Sequence, residues 1–502
     1  MDRSVGKLQT LVRIPTVSYR DWDTIDTASF DGFVEELRAQ FPLLHAHLDL
    51  TRIHTHGLLF HWRGRSAERP VVLMAHLDVV PVEGDWQHGA FSGDIADGQI
   101  WGRGTLDDKG ALVAVCEAVE VLLEGGHVPT QDVWLSFGCD EEVFGTAAPM
   151  AVEELRGRRV RPWIVVDEGG AIAGDAFPGI SKPIGVIGVT EKGVTSLELT
   201  VEGRGGHAST PSRLGPTARL ARAITRLDNA PMPASVPEPT LELFRRLAPH
   251  APLAMRPLLA GITRVEPVLA RTLVLAGPET AAMTRTTFAV TTLSGSPALN
   301  VIAQRAVAGV NIRIMVGDTV ETVLEHVRRA IDDTEVRIDV IEANEPCPVS
   351  PMTDTDDGFR VLTETISEVF PDAVPAPYVM MAATDARNFT AICDRVYRFA
   401  PFRMTKPQRQ AIHSYDEHLG VDAFVEGVRD VEVVGDVAVD RRVVALQDTA
   451  RELDGDQEAD DRGQAVDRLD RLRRTCHSGI LSISRWYQRT PSTKVSTPRC
   501  SS

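Results

Sequence analysis

The chain is 502 residues long and carries a formal net charge of −17; 43% of its residues are hydrophobic and 25% are charged. That is the composition of a globular protein too long for one ordinary core, so two domains are expected. The acidic balance argues against nucleic-acid and anionic-membrane partners, which call for basic patches, and leaves small-molecule and peptide substrates open.

In chain order, the first notable residues are the histidines His45, His47, His54, His56 and His61. The spacing His54-x-His56 invites a metal site. The stretch nevertheless alternates like a strand and has no acidic residues in a matching layout, so it reads as ordinary structure. Val71-Val72-Leu73-Met74 is an apolar, strand-like run that ends at His76, inside Ala75-His76-Leu77-Asp78-Val79-Val80-Pro81. Next comes Gly104-Thr105-Leu106-Asp107-Asp108-Lys109-Gly110. A helix is predicted from Lys109 to Glu124, because Leu112, Val115, Cys116, Val119, Leu122 and Leu123 recur at helical spacing and Gly125-Gly126 stops it. Gly102-x-Gly104 is not a nucleotide loop: the later glycine and the Lys-Ser/Thr ending are missing, and its acids repel phosphate. Val133 to Phe137 predicts a strand leading to Asp140-Glu141-Glu142, and Trp163 to Val166 another leading to Asp167. Continuous apolar strands separated by helices predict a buried α/β sheet, with ligands beyond the carboxyl ends of its strands.

From about Gly193 the pattern changes. Leu197, Leu199 and Val201 alternate as in a half-exposed strand, and a helix is expected near Thr217 to Leu227. The Pro-, Leu- and Ala-rich stretch from Pro231 to Pro278 reads as an inserted helical excursion. Strands follow near Thr286 to Leu293 and Arg305 to Ile314. A helix is predicted to open at Asp318, with Glu321 completing a capping box and Val320, Val323, Leu324, Val327 and Ile331 as its apolar face. A last strand holds Val336, Ile338 and Val340. This order is that of a split βαβ, ferredoxin-like module. The expected organisation is a first domain of residues 1–191 and 346–435, a second domain of 192–345 inserted into it, and an atypical tail of 436–502. The tail is rich in Asp and Arg, then in Ser, Thr and Pro, and reads as peripheral or disordered. Arg13 and Pro15 interrupt any signal core, and no apolar run is long enough to span a bilayer. Cys116, Cys139, Cys347, Cys393, Cys476 and Cys500 are scattered without a CxxC pair, which predicts reduced thiols and a cytoplasmic setting.

A fourth motif, Ile412-His413-Ser414-Tyr415-Asp416-Glu417, completes a set in which His or carboxylate stands at the end of each strand-like run. The set supplies ligands for two neighbouring divalent metals and leaves one carboxylate over, which is the equipment for activating water. With Trp86, Phe91-Ser92-Gly93, Trp101-Gly102-Arg103-Gly104 and Val166-Asp167-Glu168-Gly169-Gly170, these motifs resemble a dinuclear-zinc family. That family comprises carboxypeptidase S, aminoacylase, acetylornithine deacetylase and succinyl-diaminopimelate desuccinylase, and the carboxypeptidase S-like branch is the nearest. The resemblance runs from Leu8 to Val428. It implies an α/β/α zinc-peptidase catalytic domain with an inserted ferredoxin-like α+β lid or dimerisation domain.

Carried onto these residues, the resemblance implies two zinc ions, with cobalt or manganese as possible occupants. His76 and Asp167 would hold one, Glu142 and His413 the other, and Asp107 would bridge them. Either Asp167 or Glu168 can serve as the ligand; Asp167 is favoured as the acid that directly follows the apolar strand. The Asp107-Asp108 peptide is expected to be cis. Asp78, two residues past His76, is placed to accept the other imidazole N–H and fix the tautomer. Glu141 would be general base, with successive strand-end side chains pointing one to the metal and one to the water. Asp416 and Glu417 are candidate partners of the ligands. His207, in Gly203-Arg204-Gly205-Gly206-His207, would polarise the scissile carbonyl. Asn300 would contact substrate, and Arg313, on the polar face of its strand, would clamp a free carboxylate. Thr384-Asp385-Ala386-Arg387 resembles a substrate-side loop, with Met381-Ala382-Ala383 where glycines are usual.

The reaction implied is hydrolysis of the amide of an N-acyl amino acid or a short peptide with a free carboxylate, with Glu141 as base and then acid. Alternatives are a biosynthetic deacetylase or desuccinylase of one specific amine, and a catalytically silent binding paralogue. A homodimer through the inserted domain is a further implication.

Overall fold

The computed structural model describes residues 3–437, apart from 178, 254, 257–258 and 260–265. The expected tail lies outside the described residues except for 436 and 437.

Ten strands form the main sheet. Across it run Asp49–Ile53, Gly57–Trp62, Gln131–Gly138, Ser66–His76, Ile164–Asp167, Val396–Arg398, Ile184–Glu191, Ala171–Ala173 and Arg403–Met404, with Val374–Met380 also paired to Ile184–Glu191. The centre is parallel: Ser66–His76 pairs in parallel with both Gln131–Gly138 and Ile164–Asp167. One edge is an antiparallel pair, Asp49–Ile53 with Gly57–Trp62.

Period-2 alternation sorts the central strands between two faces. Val71 and Leu73, with Val133, Leu135 and Phe137, pack on the helices Lys109–Glu124, Asp357–Val369 and Val421–Val437 through Leu112, Cys116, Phe359, Leu362 and Phe424. Val72 and Met74, with Trp134 and Val165, pack on the helix Ala147–Gly157 through Ala148, Ala151, Val152 and Leu155. Both faces are covered, giving an α/β/α sandwich and explaining why these strands read as unbroken apolar runs. The helix Lys109–Glu124 ends where the glycines predicted. Gly126 adopts φ of 69°, His127 N–H donates to the Leu122 carbonyl and Gly126 N–H to that of Leu123, both at 2.9 Å, the paired bonds of a Schellman ending.

A second, four-stranded antiparallel sheet has the order Thr287–Ser294, Arg305–Ile314, Gly193–Glu202, Val336–Asn344. Leu197, Leu199, Val201, Ala308, Val310 and Ile312 pack on the helices Pro216–Asp228 and Val320–Ile331. The strand and helix order is the one the sequence predicts. The helix start differs. Thr319 is the cap and shares a capping box with Thr322, while Asp318 instead accepts the Thr286 hydroxyl at 2.5 Å. A Thr side chain at the third helical position closes the box as a Glu would, and the hydrophobic pattern carries no record of which one does. The described part of 231–278 contains the helices Glu238–Leu247 and Glu266–Ala276. Among the described residues no helix is long and apolar enough to cross a membrane.

Candidate metal centre

The centre assembles at the carboxyl ends of the parallel strands. His76 is the last residue of Ser66–His76 and is 1% exposed. Its Nε2 lies 2.9 Å from Asp107 Oδ1, and the other oxygen of Asp107 lies 2.9 Å from His413 Nε2. His413 Nε2 is also 3.0 Å from Glu142 Oε2. Asp107 thus stands between the two imidazoles. Ligand-type atoms of His76, Asp107 and Glu142 all lie within 4.8 Å of one another. The Asp107-Asp108 peptide is cis, as the motif implied.

The electrostatics call for cations. His76 is pulled down by burial, but hydrogen bonds to Asp107 and Asp78 outweigh that and hold it well above the usual imidazole range. Bonds to Asp107 and then to Glu142 push His413 up to about 10. Burial opposes ionisation of Asp107, yet His413 and His76 hold it well below the usual carboxylate range. The remaining acids go the other way: burial first, then their mutual repulsion, raises Asp108, Glu141, Glu142, Glu168 and Asp385. So many carboxyls in one buried place are costly without positive charge among them. Glu142 Oε1 is buried with no hydrogen-bond partner. An orphaned carboxylate oxygen among imidazole nitrogens and other carboxylates fits a divalent ion, and the mixed nitrogen and oxygen set suits zinc.

Glu141 and Glu142 diverge for a reason other than the expected one. The strand Gln131–Gly138 has already ended, and the two residues open a 3₁₀ turn, Glu141–Val143. That turn is tied to Asp78: Glu141 N–H and Glu142 N–H donate to its two carboxylate oxygens, each at 3.2 Å, and the Ser18 hydroxyl donates at 2.7 Å. His76 Nδ1 meets the backbone carbonyl of Asp78 at 3.0 Å, nearer than the Asp78 carboxylate at 3.4 Å. Asp78 therefore orients the imidazole mainly through its main chain, and its side chain anchors the two glutamates.

Asp167 and Glu168 differ in how they are engaged. Both Asp167 oxygens already accept backbone N–H groups, from Glu168 at 2.9 Å and Ala386 at 2.8 Å. The Glu168 carboxylate accepts no hydrogen bond among the described residues, and its charge is opposed by Asp107, Asp108, Asp167 and Glu141.

The structure makes the supporting groups specific. Glu417 is fully buried and accepts N–H bonds from Gly104, Leu106 and Asp107 at 3.0, 2.8 and 3.2 Å, plus Arg103 at 2.5 Å. It fixes the loop that carries Asp107, the more specific form of the partner role expected of it; Asp416 accepts Gln87 N–H instead. Phe144 follows the Glu141–Val143 turn at φ 55°, and the Arg387 guanidinium sits 4.5 Å from its ring centroid. Arg313 is half-buried, makes no salt bridge among the described residues, and is lowered by burial and then by Arg387. Two guanidiniums that oppose each other's charge suit an anionic group. His207 and Asn300 come together on an exposed ribbon. His207 pairs with Val301 in a two-stranded ribbon, Ala208 N–H donates to the Asn300 carbonyl at 3.1 Å, and both residues are exposed. No hydrogen bond joins either to the acid cluster among the described residues. The other histidines do not unite: His56 meets Asp31 and His61 meets Asp132.

An α/β/α sheet with this His-and-carboxylate cluster at its carboxyl edge defines a metal-dependent hydrolase. The pattern of peptidase family M20/M25/M40 matches residues 72–432, and the chain belongs to that family of metallopeptidases and amidohydrolases. It is 36% identical over 427 residues to a probable carboxypeptidase S-like 2 of Dictyostelium discoideum, covering 83% of this chain and 82% of that one. It is 34% identical over 445 residues to the human N-fatty-acyl-amino acid synthase/hydrolase PM20D1, covering 87% and 88%. Among solved structures, the metallo-carboxypeptidase Sso-CP2 of Sulfolobus solfataricus shares the fold with a TM-score of 0.63 at 18% identity, over 87% of this chain and 99% of that one.

Proposed function

We propose that this protein hydrolyses the amide bond of N-acyl amino acids or short peptides bearing a free carboxylate. The observation that carries the reading is the placing of Glu141, a buried carboxyl beside His76, Asp107 and Glu142 that is not needed as a ligand. His76 and Asp107 would hold one zinc ion and Asp107, Glu142 and His413 the other. Asp167 or Glu168 would complete the first set: each Asp167 oxygen accepts one backbone amide and keeps a lone pair, and Glu168 lies among the same acids. When bound, such ions lower the pKa of a water and polarise a carbonyl.

Glu141 then takes the proton of the attacking water and returns it to the leaving amine, serving as base and acid in turn. Burial raises its proton affinity, which suits a group that must gain and give a proton near neutral pH. Arg313, under the charge of Arg387, orients the substrate through its carboxylate. His207 donates to the carbonyl oxygen as charge develops there, and Asn300, its neighbour on the ribbon, contacts the substrate. The four-stranded sheet serves as the lid domain, and its exposed edge strand Thr287–Ser294 as the contact of a homodimer. The buried free thiols Cys116, Cys139, Cys347 and Cys393 support a reducing, cytoplasmic setting.

The test is amine release from N-acetyl, N-succinyl and N-fatty-acyl amino acids and from dipeptides, with chelator and with zinc restored. Zinc-dependent release that falls when the substrate carboxylate is amidated is the expected result. Turnover of amidated substrates at the same rate would remove the carboxylate clamp. A folded, zinc-loaded protein without turnover on any substrate would remove the hydrolase reading.

A further inference from the structure

A second group of metal-type side chains lies where the chain enters the Glu141 turn. The strand Gln131–Gly138 runs out at Cys139 and Asp140, which are 0% and 1% exposed. Its neighbour Gly57–Trp62 pairs with it, Leu58 opposite Phe137, so the turn that precedes Gly57 falls beside that strand end. This register brings His54 to Cys139 and Asp140, and the ligand-type atoms of the three lie within 4.8 Å of one another.

We propose that His54, Cys139 and Asp140 form a third metal site, distinct from the dinuclear centre and suited to a borderline or soft divalent ion such as zinc. An imidazole, a thiol and a carboxylate make a nitrogen, sulfur and oxygen set, and the sulfur selects such ions over magnesium or calcium. The three atoms need close by only a fraction of their separation to reach common bonding distance. His54 is half-buried and so the least enclosed of the three, and a water would supply the fourth ligand.

Each ligand is held in place. His54 has φ of 53°, in the left-handed region, and its ring packs on Trp22 with centroids 4.7 Å apart. Its Nδ1 meets the Thr55 hydroxyl at 3.1 Å, while Nε2 has no hydrogen-bond partner among the described residues. That hydroxyl is in turn 3.9 Å from Cys139 Sγ. Asp140 is oriented by backbone N–H groups of Thr146 at 2.8 Å and Ala147 at 3.2 and 3.3 Å, with lone pairs to spare. Burial, then the charge of Asp140, pushes the Cys139 thiol up to about 12, so without an ion it stays protonated. On binding, the S–H bond breaks, a sulfur–metal bond forms, and one proton passes to water.

Sulfur separates this site from the catalytic one, whose candidate ligands are all nitrogen and oxygen. The full chain, stripped with chelator and titrated with cobalt(II), is followed by near-ultraviolet absorption. The expected result is a thiolate-to-cobalt charge-transfer band that grows with one cobalt equivalent beyond those of the dinuclear centre. His54→Gln and Cys139→Ser should each abolish the band and weaken that equivalent by at least about tenfold, leaving the others bound. His54→Gln, at a half-buried turn, carries the test should Cys139→Ser fail to fold. A parent protein without the band, or a band that persists in either folded variant, overturns the site.

Discussion

The carboxyl edge of the ten-stranded sheet and the region of the four-stranded sheet both carry side chains proposed for the reaction, and they hold them in opposite ways. At the edge, His76, Asp107, Glu141 and Glu142 are locked by buried partners: Asp78 grips the two glutamates and Glu417 grips the Asp107 loop. On the other region, Arg313 is half-buried without a salt bridge among the described residues, and His207 and Asn300 stand on an exposed ribbon. The difference teaches a division of labour. Groups that must carry concentrated charge need backbone N–H donors and a dry setting to keep their geometry, at a cost that cations offset. Groups proposed to meet only the substrate can wait in water, because the substrate would supply their partner.

The comparison is broken most severely at Glu141. Glu141→Gln keeps the shape and removes the proton acceptor; kcat should fall by about 10³-fold or more, with both metals retained by elemental analysis. A variant within tenfold of the parent would take the general-base role away from this residue. Next is the exposed ribbon. His207→Ala should lower kcat by about 10²-fold without altering the melting temperature, since it leaves no buried group unpaired. Loss of stability together with activity would make it a structural residue instead.

Arg313→Ala sharpens the contrast, because it should act on binding. KM for carboxylate-bearing substrates is expected to rise by roughly 10- to 100-fold, and Arg313→Lys to recover only part of it, a point charge lacking the two-pronged contact. Equal losses on amidated substrates would count against the clamp. Glu417→Gln should weaken metal affinity by about tenfold, read by competition with a chromogenic chelator, because the Asp107 loop loses its charged anchor.

The smallest expected effect is in stability against pH. In the ion-free protein, burial raises Asp108, Glu141, Glu142, Asp167, Glu168 and Asp385, so above the ordinary carboxyl range the folded state binds more protons than the unfolded one. Stability therefore falls as pH rises. His76 and His413 act in the same direction: their contribution is full below the unfolded imidazole value and fades toward the folded one, about 10 for His413. Asp107, held low, gives up its contribution only under strongly acidic conditions. The ion-free melting temperature should drop by a few degrees between about pH 5.5 and about pH 8, and zinc should flatten that slope. A slope of opposite sign would show that these acids do not dominate the balance.

The sequence by itself determined the strands and helices that build the centre. Apolar runs buried on both faces announce central strands, and helical spacing closed by Gly125-Gly126 announces the helix after the Asp107 loop. It also determined the residue types at the strand ends, and so the class of chemistry. It misjudged what depends on local choice: the Thr319 and Thr322 box, and the 3₁₀ turn that separates Glu141 from Glu142. Only the tertiary structure decided that His413 faces Asp107, that Asp78 anchors the glutamates with its side chain, that Glu417 organises a loop far from it in sequence, and that His54 lies beside Cys139 and Asp140. The physical reason is range. Periodicity and capping act over a few residues and are written in neighbouring letters. The approach of distant side chains follows from sheet order and register, which arise when all the apolar faces are buried at once.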